Sequence, residues 1–303
     1  MKNKVSLFLD SGAYSAWSKK TTIPLQEYID FVHKYKDYLE VYANLDDIDS
    51  PEKTWENQKE MERQGLSPLP VYHIGEDEKY LRRALEYEYF GVGGMALSVS
   101  SVRTRFYELI FQEICPKSNN YLPTHKIHGF GMTSLRHIIR FPWYSIDSTS
   151  WVMTSRFGSV YIPKIDKNGE YIYNADSWKV CVSSRSPVLT KDGKHFKTLP
   201  LPYQKIIKQY FKEKGYSLGL SRFIKRNAKE YTLEENEVWA SKPDKKGFRM
   251  VERVIERGLS NDYKLRDEMN IIYFLDLEKS IPKWPWPFKK ATMARFGMKE
   301  YKL

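Results

Sequence analysis

Six short β-rich runs, at 5–10, 40–46, 69–74, 89–94, 126–131 and 143–147, alternate with amphipathic stretches such as 25–38, 51–64 and 76–87. This rhythm constrains the chain more than any other feature. Strands separated by helix-length segments do not pair as tight hairpins, so parallel βαβ units are expected. Each run ends at or beside Asp, Gly or His. Barrel enzymes gather polar groups at the carboxyl ends of their strands, so the expected fold is α/β, a TIM-like (β/α) barrel. A doubly wound open sheet is the rival that periodicity alone does not exclude.

After about residue 150 the rhythm changes. "FGSVYIPKIDKNGEYIY" predicts a hairpin turning at Lys167-Asn168-Gly169. The stretch 183–201 reads as a loop, helical pattern returns at 203–214, 233–240 and 248–258, and 271–276 reads as a strand. The expected organisation is therefore a barrel core over 1–182 and a mostly helical C-terminal region over 183–303, which would complete the barrel and contact nucleic acid.

No apolar run approaches the roughly 18 residues needed to span a bilayer, so no membrane partner is expected. The start MKNKVSLFLD has no small-residue cleavage site, which argues against a signal peptide and for a cytoplasmic protein. Only Cys115 and Cys181 are present, too few for a disulfide framework or a four-cysteine zinc site. Lys plus Arg number 49 against 38 Asp plus Glu, a formal charge of +11, which raises the odds of a polyanionic partner.

Taken singly, the strand-end residues have bland explanations. Asp10 before Ser-Gly suits a turn cap, Asp46 or Asp47 a helix N-cap before "SPEKTW", and Asp147 another cap. His73 suits a satisfied core histidine, and Gly93, Gly94 and Gly129 suit tight turns. Their conjunction says more. In a parallel barrel the acids of the first, second and sixth runs converge on one mouth with a histidine and two glycine-rich turns. Such a set suits one carboxylate attacking carbon, one moving a proton and one reading a substrate's donors.

The residues carry a family resemblance. "DSGAY" at 10–14 resembles the DSGGF/Y motif of the tRNA-guanine transglycosylases, and "NLDD" at 44–47 resembles their base-reading acid. "VYHIGE", "GVGGMA", "KIHGFG" and "YSIDSTSWVMTSRFG" are similar to four further motifs in the family's order. The resemblance implies a pentosyltransferase on a (β/α) barrel. It makes Asp147 the nucleophile that forms a glycosyl-enzyme and Asp10 the acid/base. Asp46, with Asp47 as the alternative, would accept from guanine's N–H edge, and His73 would replace a base-contacting Gln. Gly93 and Gly94 would be the backbone donors to the purine oxygen, the 128–131 turn that includes Gly129 would line the base, and Tyr14 and His128 would flank it with aromatic faces.

Three departures choose the branch. The family's zinc motif reads "CVSSRS" here, with Cys181, Ser183 and Ser186 at its spacings, and serine is a poor zinc ligand, so neither metal nor cofactor is expected. DSGAY lies within the first fifteen residues, whereas the tRNA enzymes have two strands before that motif. Beyond about 185 no motif matches. These traits resemble the 7-deazaguanine DNA transglycosylases of phages and bacterial DNA-modification clusters, with DNA, free guanine and a 7-deazaguanine as partners. A base in duplex DNA would have to be extruded, and Arg156, Lys289 and Lys290 are among the cations expected to track phosphates. The alternatives are a tRNA-guanine transglycosylase, a non-catalytic nucleic-acid-binding paralogue, and a barrel glycoside hydrolase, which leaves the glycine motifs unexplained.

Overall fold

The computed structural model describes residues 6–94, 99–173, 177–186, 188 and 194–288. The chain forms two compact units, one running to Ser148 and resuming at Pro282, the other Thr149–Ile281. The expected border at 182 falls inside the second unit.

The first unit alternates strand and helix throughout. Its strands are β1 (Phe8–Leu9), β2 (Val41–Tyr42), β3 (Val71–His73), β4 (Tyr89–Gly93), β5 (Lys126–Gly129) and β6 (Ser145–Ile146). Its helices are α1 (Ala13–Ser18), α2 (Leu25–Tyr35), α3 (Pro51–Arg63), α4 (Glu78–Ala84), α5 (Ser100–Ile114) and α6 (Leu135–Arg140). β1 pairs with β2, and β3, β4, β5 and β6 pair in that order, all parallel. A parallel bridge from Ala43 to Leu69 joins the two sets, so the strands follow one another in sequence order. The helix starts are written locally. Ser50 accepts from the Lys53 amide at 3.2 Å with Pro51 next in line, and Asp77 accepts from the Lys79 amide at 2.8 Å. Ser50, not Asp46 or Asp47, caps α3.

The sheet is rolled. Five strands laid flat put the first and fifth about 19 Å apart at the usual interstrand spacing, yet the Phe8 ring on β1 stacks on His128 of β5 at 4.2 Å. Phe8, His128 and Phe130 therefore form the inside of a curved parallel sheet.

The second unit contains α7 (Ser150–Arg156), β7 (Ser159–Ile162), β8 (Lys164–Ile165), β9 (Tyr171–Ile172), β10 (Trp178–Cys181), α8 (Leu201–Glu213), β11 (Leu220–Asn227), β12 (Glu237–Trp239), β13 (Phe248–Glu256) and α9 (Tyr263–Ser280). β8 and β9 are the expected hairpin. Among the described residues the C-terminal region is mixed rather than mostly helical: besides α8 and α9 it holds an antiparallel sheet of β11, β13 and β12 in that order. The expected helices at 233–240 and 248–258 hold strands of this sheet instead: "FRMVERVIE" pairs antiparallel with β11 along its length and with β12 at Val251, Glu252 and Arg253. The expected strand at 271–276 is instead the middle of α9, whose N-cap Asp262 accepts from Lys264. A short apolar run such as "IIYFL" fits either structure until its caps are counted. No helix among the described residues is long and apolar enough to cross a membrane.

Candidate functional site

Parallel pairing sends every strand's carboxyl end to the same edge, and the first unit places its ionisable groups there. Asp10 follows β1, His73 closes β3, Gly93 closes β4, Gly129 closes β5 and Asp147 follows β6. Asp10 makes the turn contact expected of it, accepting from the Gly12 amide at 3.3 Å, while Gly12 takes φ +76°. Its carboxyl is also held above the usual carboxylate pKa. Crowding by surrounding protein is the main cause, Asp147 and Asp46 add to it, and the Gly12 amide and His128 oppose it.

Asp46 lies at the centre of a buried network. Its Oδ1 accepts from Ser11 Oγ at 2.8 Å, and its Oδ2 lies 2.9 Å from His73 Nε2. His73 Nδ1 lies 2.9 Å from Glu76 Oε1, so both ring nitrogens face carboxylates. Burial works against protonation of this imidazole, but the hydrogen bonds and charges of Asp46 and Glu76 outweigh it and raise the pKa to about 9. His73 is thus an imidazolium donating to both acids. It has no free nitrogen for a base and acts as a positioning residue for Asp46.

Gly93 exists to admit that ring. A Cβ there would stand 2.7 Å from His73 Cδ2. Because both nitrogens are tethered, the ring has little room to yield, and Gly93→Ala is expected to destabilise the protein by about 1–3 kcal/mol. A melting temperature lowered by several degrees is the check, and an unchanged one would mean the ring is free to shift. Gly94 takes φ +80°, and a Cβ there would meet Ile74 Cγ2 at 2.8 Å. Its first task is the turn.

Asp147 is the open member of the set, with 41% of its side chain exposed. Its Oδ1 accepts from the Gly131 amide at 2.7 Å, and its own amide donates to Gly129 O at 3.3 Å. His128 stands behind it. This histidine is 2% exposed, with one face covered by Phe8 and Phe130 against its edge at 4.4 Å. It is not the base-stacking surface that the sequence suggests. Tyr89 OH lies 2.6 Å from Ser145 Oγ, which lies 2.6 Å from His128 Nδ1. With the hydroxyls donating in that order, Nε2 carries the remaining ring hydrogen and faces Asp147 Oδ1 across 3.6 Å. Nε2 is buried and has no hydrogen-bond partner among the described residues.

Asp10, Asp46, His73, Gly93, Gly94, His128, Gly129 and Asp147 thus belong to one strand-end region, and Asp10 lies within electrostatic reach of Asp147, Asp46 and His128. Tyr14 is 48% exposed on α1 beside Trp17. Arg156 is exposed at the end of α7 in the second unit, and Lys289 and Lys290 lie outside the described residues. The sequence alone did not single out Glu76, Ser145 or Tyr89. Glu76 had one usable signal, its place three residues after His73. In the second unit the zinc-motif positions are joined by other bonds: His195 Nε2 lies 3.3 Å from Ser183 O, and the Arg185 amide donates to Ser183 Oγ.

The fold and site define an α/β protein of sequential parallel strands with a carboxylate and histidine cluster at their carboxyl ends. Comparison with protein families, curated proteins and solved structures returns no match.

Proposed function

We propose that the protein exchanges guanine in DNA for a 7-deazaguanine base, such as 7-cyano-7-deazaguanine, on a (β/α) barrel that includes these six strands. The observation that carries the reading is the gathering of Asp10, Asp46 and Asp147 at one end of the strands, with an exposed Asp147 and an Asp10 that holds its proton unusually well. An Asp147 oxygen attacks the anomeric carbon as the bond from that carbon to guanine N9 breaks, and the bonding electrons leave with guanine. Asp10 gives the departing base a proton and then takes one from the incoming base, whose nitrogen displaces Asp147. Asp46, with both oxygens engaged by the protein, offers its remaining lone pairs to the base's N–H groups.

Nucleoside mass spectrometry of DNA and tRNA incubated with the protein and 7-cyano-7-deazaguanine tests this. The expected result is a deazaguanine nucleoside in DNA only; incorporation only in tRNA, or in neither, overturns it. Asp10→Asn is expected to slow exchange by roughly 10²- to 10⁴-fold. It should also remove the limb of the pH–rate profile that lies above the ordinary carboxyl range. A variant that kept this limb would move the acid role elsewhere.

A further inference from the structure

The β11–β13–β12 sheet carries an arrangement that packing does not explain. Residues directly opposite one another share a face, and here Arg222 faces Arg253 while Arg226 faces Arg249, with Ile224 and Val251 between the two pairs. Like charges in such positions repel. On β12, Glu237 stands beside Arg253 and Trp239 beside Val251. Of the four arginines, Arg253 alone meets carboxylates among the described residues, those of Glu237 at 2.8 Å and Glu234 at 2.9 Å. Arg249 donates to Ser241 O and lies over the Trp239 ring at 4.5 Å, and Arg226 lies over the Tyr231 ring at 5.0 Å. Arg222 is exposed and makes no ion pair among the described residues. The face therefore presents three guanidinium groups without a carboxylate, two of them backed by aromatic rings.

We propose that this face binds a nucleic-acid strand, with Arg222, Arg226 and Arg249 on its phosphates and the Trp239–Tyr231 edge against its bases. Guanidinium groups match phosphate by charge and geometry. Aromatic rings beside them offer the stacking surface that single-stranded nucleic acids use and that an acidic polypeptide does not need. The inference rests on the proposed reaction only for the identity of the strand, which is DNA.

Fluorescence anisotropy with a labelled single-stranded DNA, repeated over a range of salt concentrations, tests it on the full chain. Arg222→Ala/Arg226→Ala is expected to weaken binding on the order of tenfold and to flatten the salt dependence by about 0.7 for each phosphate no longer neutralised. Arg222→Ala alone removes no ion pair among the described residues and keeps the test open if the double variant misfolds. Unchanged affinity and salt slope in folded variants overturns the proposal. So does equally tight, equally arginine-dependent binding of polyglutamate, which would assign the face to an acidic protein. RNA of the same sequence binding more tightly than DNA would reassign the strand. Failure of the proposed reaction reads differently: base exchange is absent while arginine-dependent binding persists.

Discussion

Asp147→Asn is expected to cut base exchange by roughly 10⁴- to 10⁶-fold, the scale seen when a catalytic nucleophile is removed, while leaving the fold and DNA binding in place. The side chain is exposed, so the substitution opens no cavity. The Gly131 amide that donates to Asp147 Oδ1 at 2.7 Å finds an acceptor equally well in an asparagine carbonyl. What disappears is the negative oxygen that attacks carbon. A second consequence sharpens the test. Asp147 is one of the charges that raise the Asp10 pKa, so the Asn variant should shift Asp10 back toward the ordinary carboxyl range, visible by NMR titration of its carboxyl carbon. Mass spectrometry of the protein with substrate should show a covalent adduct for wild type and none for Asp147→Asn. Activity within tenfold of wild type would exclude Asp147 as the nucleophile.

The six parallel strands were legible because each is a short apolar run closed by a polar or turn-forming residue, and that pattern depends on local sequence alone. Asp10, Asp46 and Asp147 were legible for the same reason, since parallel pairing sends all strand ends to one edge. The burial of His128 was not. It depends on Phe8 crossing from β1 to β5, a contact made only once the sheet rolls. Likewise His73 read as a group facing a base, because nothing in "VYHIGE" states that Asp46, 27 residues earlier, takes its Nε2. The second unit was harder still. In "LEENEVW" the glutamates favour helix by propensity, but the pairing of β12 with β13 overrides it. β11 carries arginines where an alternating apolar pattern would have marked a strand.

Removing His73 is expected to cost the fold more than the Gly93 substitution does. Its folded pKa of about 9 lies above the ordinary histidine value of 6.5, so protonation favours the folded state. The stabilisation is therefore complete below pH 6.5 and is lost as pH rises through 9. That shift corresponds to about 3 kcal/mol across the interval. Urea denaturation at both ends of the range should show the wild type weakening as pH rises. His73→Ala should remove this dependence and, by leaving Asp46 and Glu76 facing each other without a cation in a buried site, cost about 3–5 kcal/mol at pH 6.5. His73→Gln separates charge from shape: it is neutral and its single amide nitrogen replaces only one of the two ring nitrogens, so it should recover part of the loss but none of the pH dependence. Exchange activity should follow the same order, because Asp46 keeps its orientation only while His73 holds Oδ2 and Ser11 holds Oδ1. A wild type of constant stability between pH 6.5 and 9 would mean that His73 is not the cation binding these acids together.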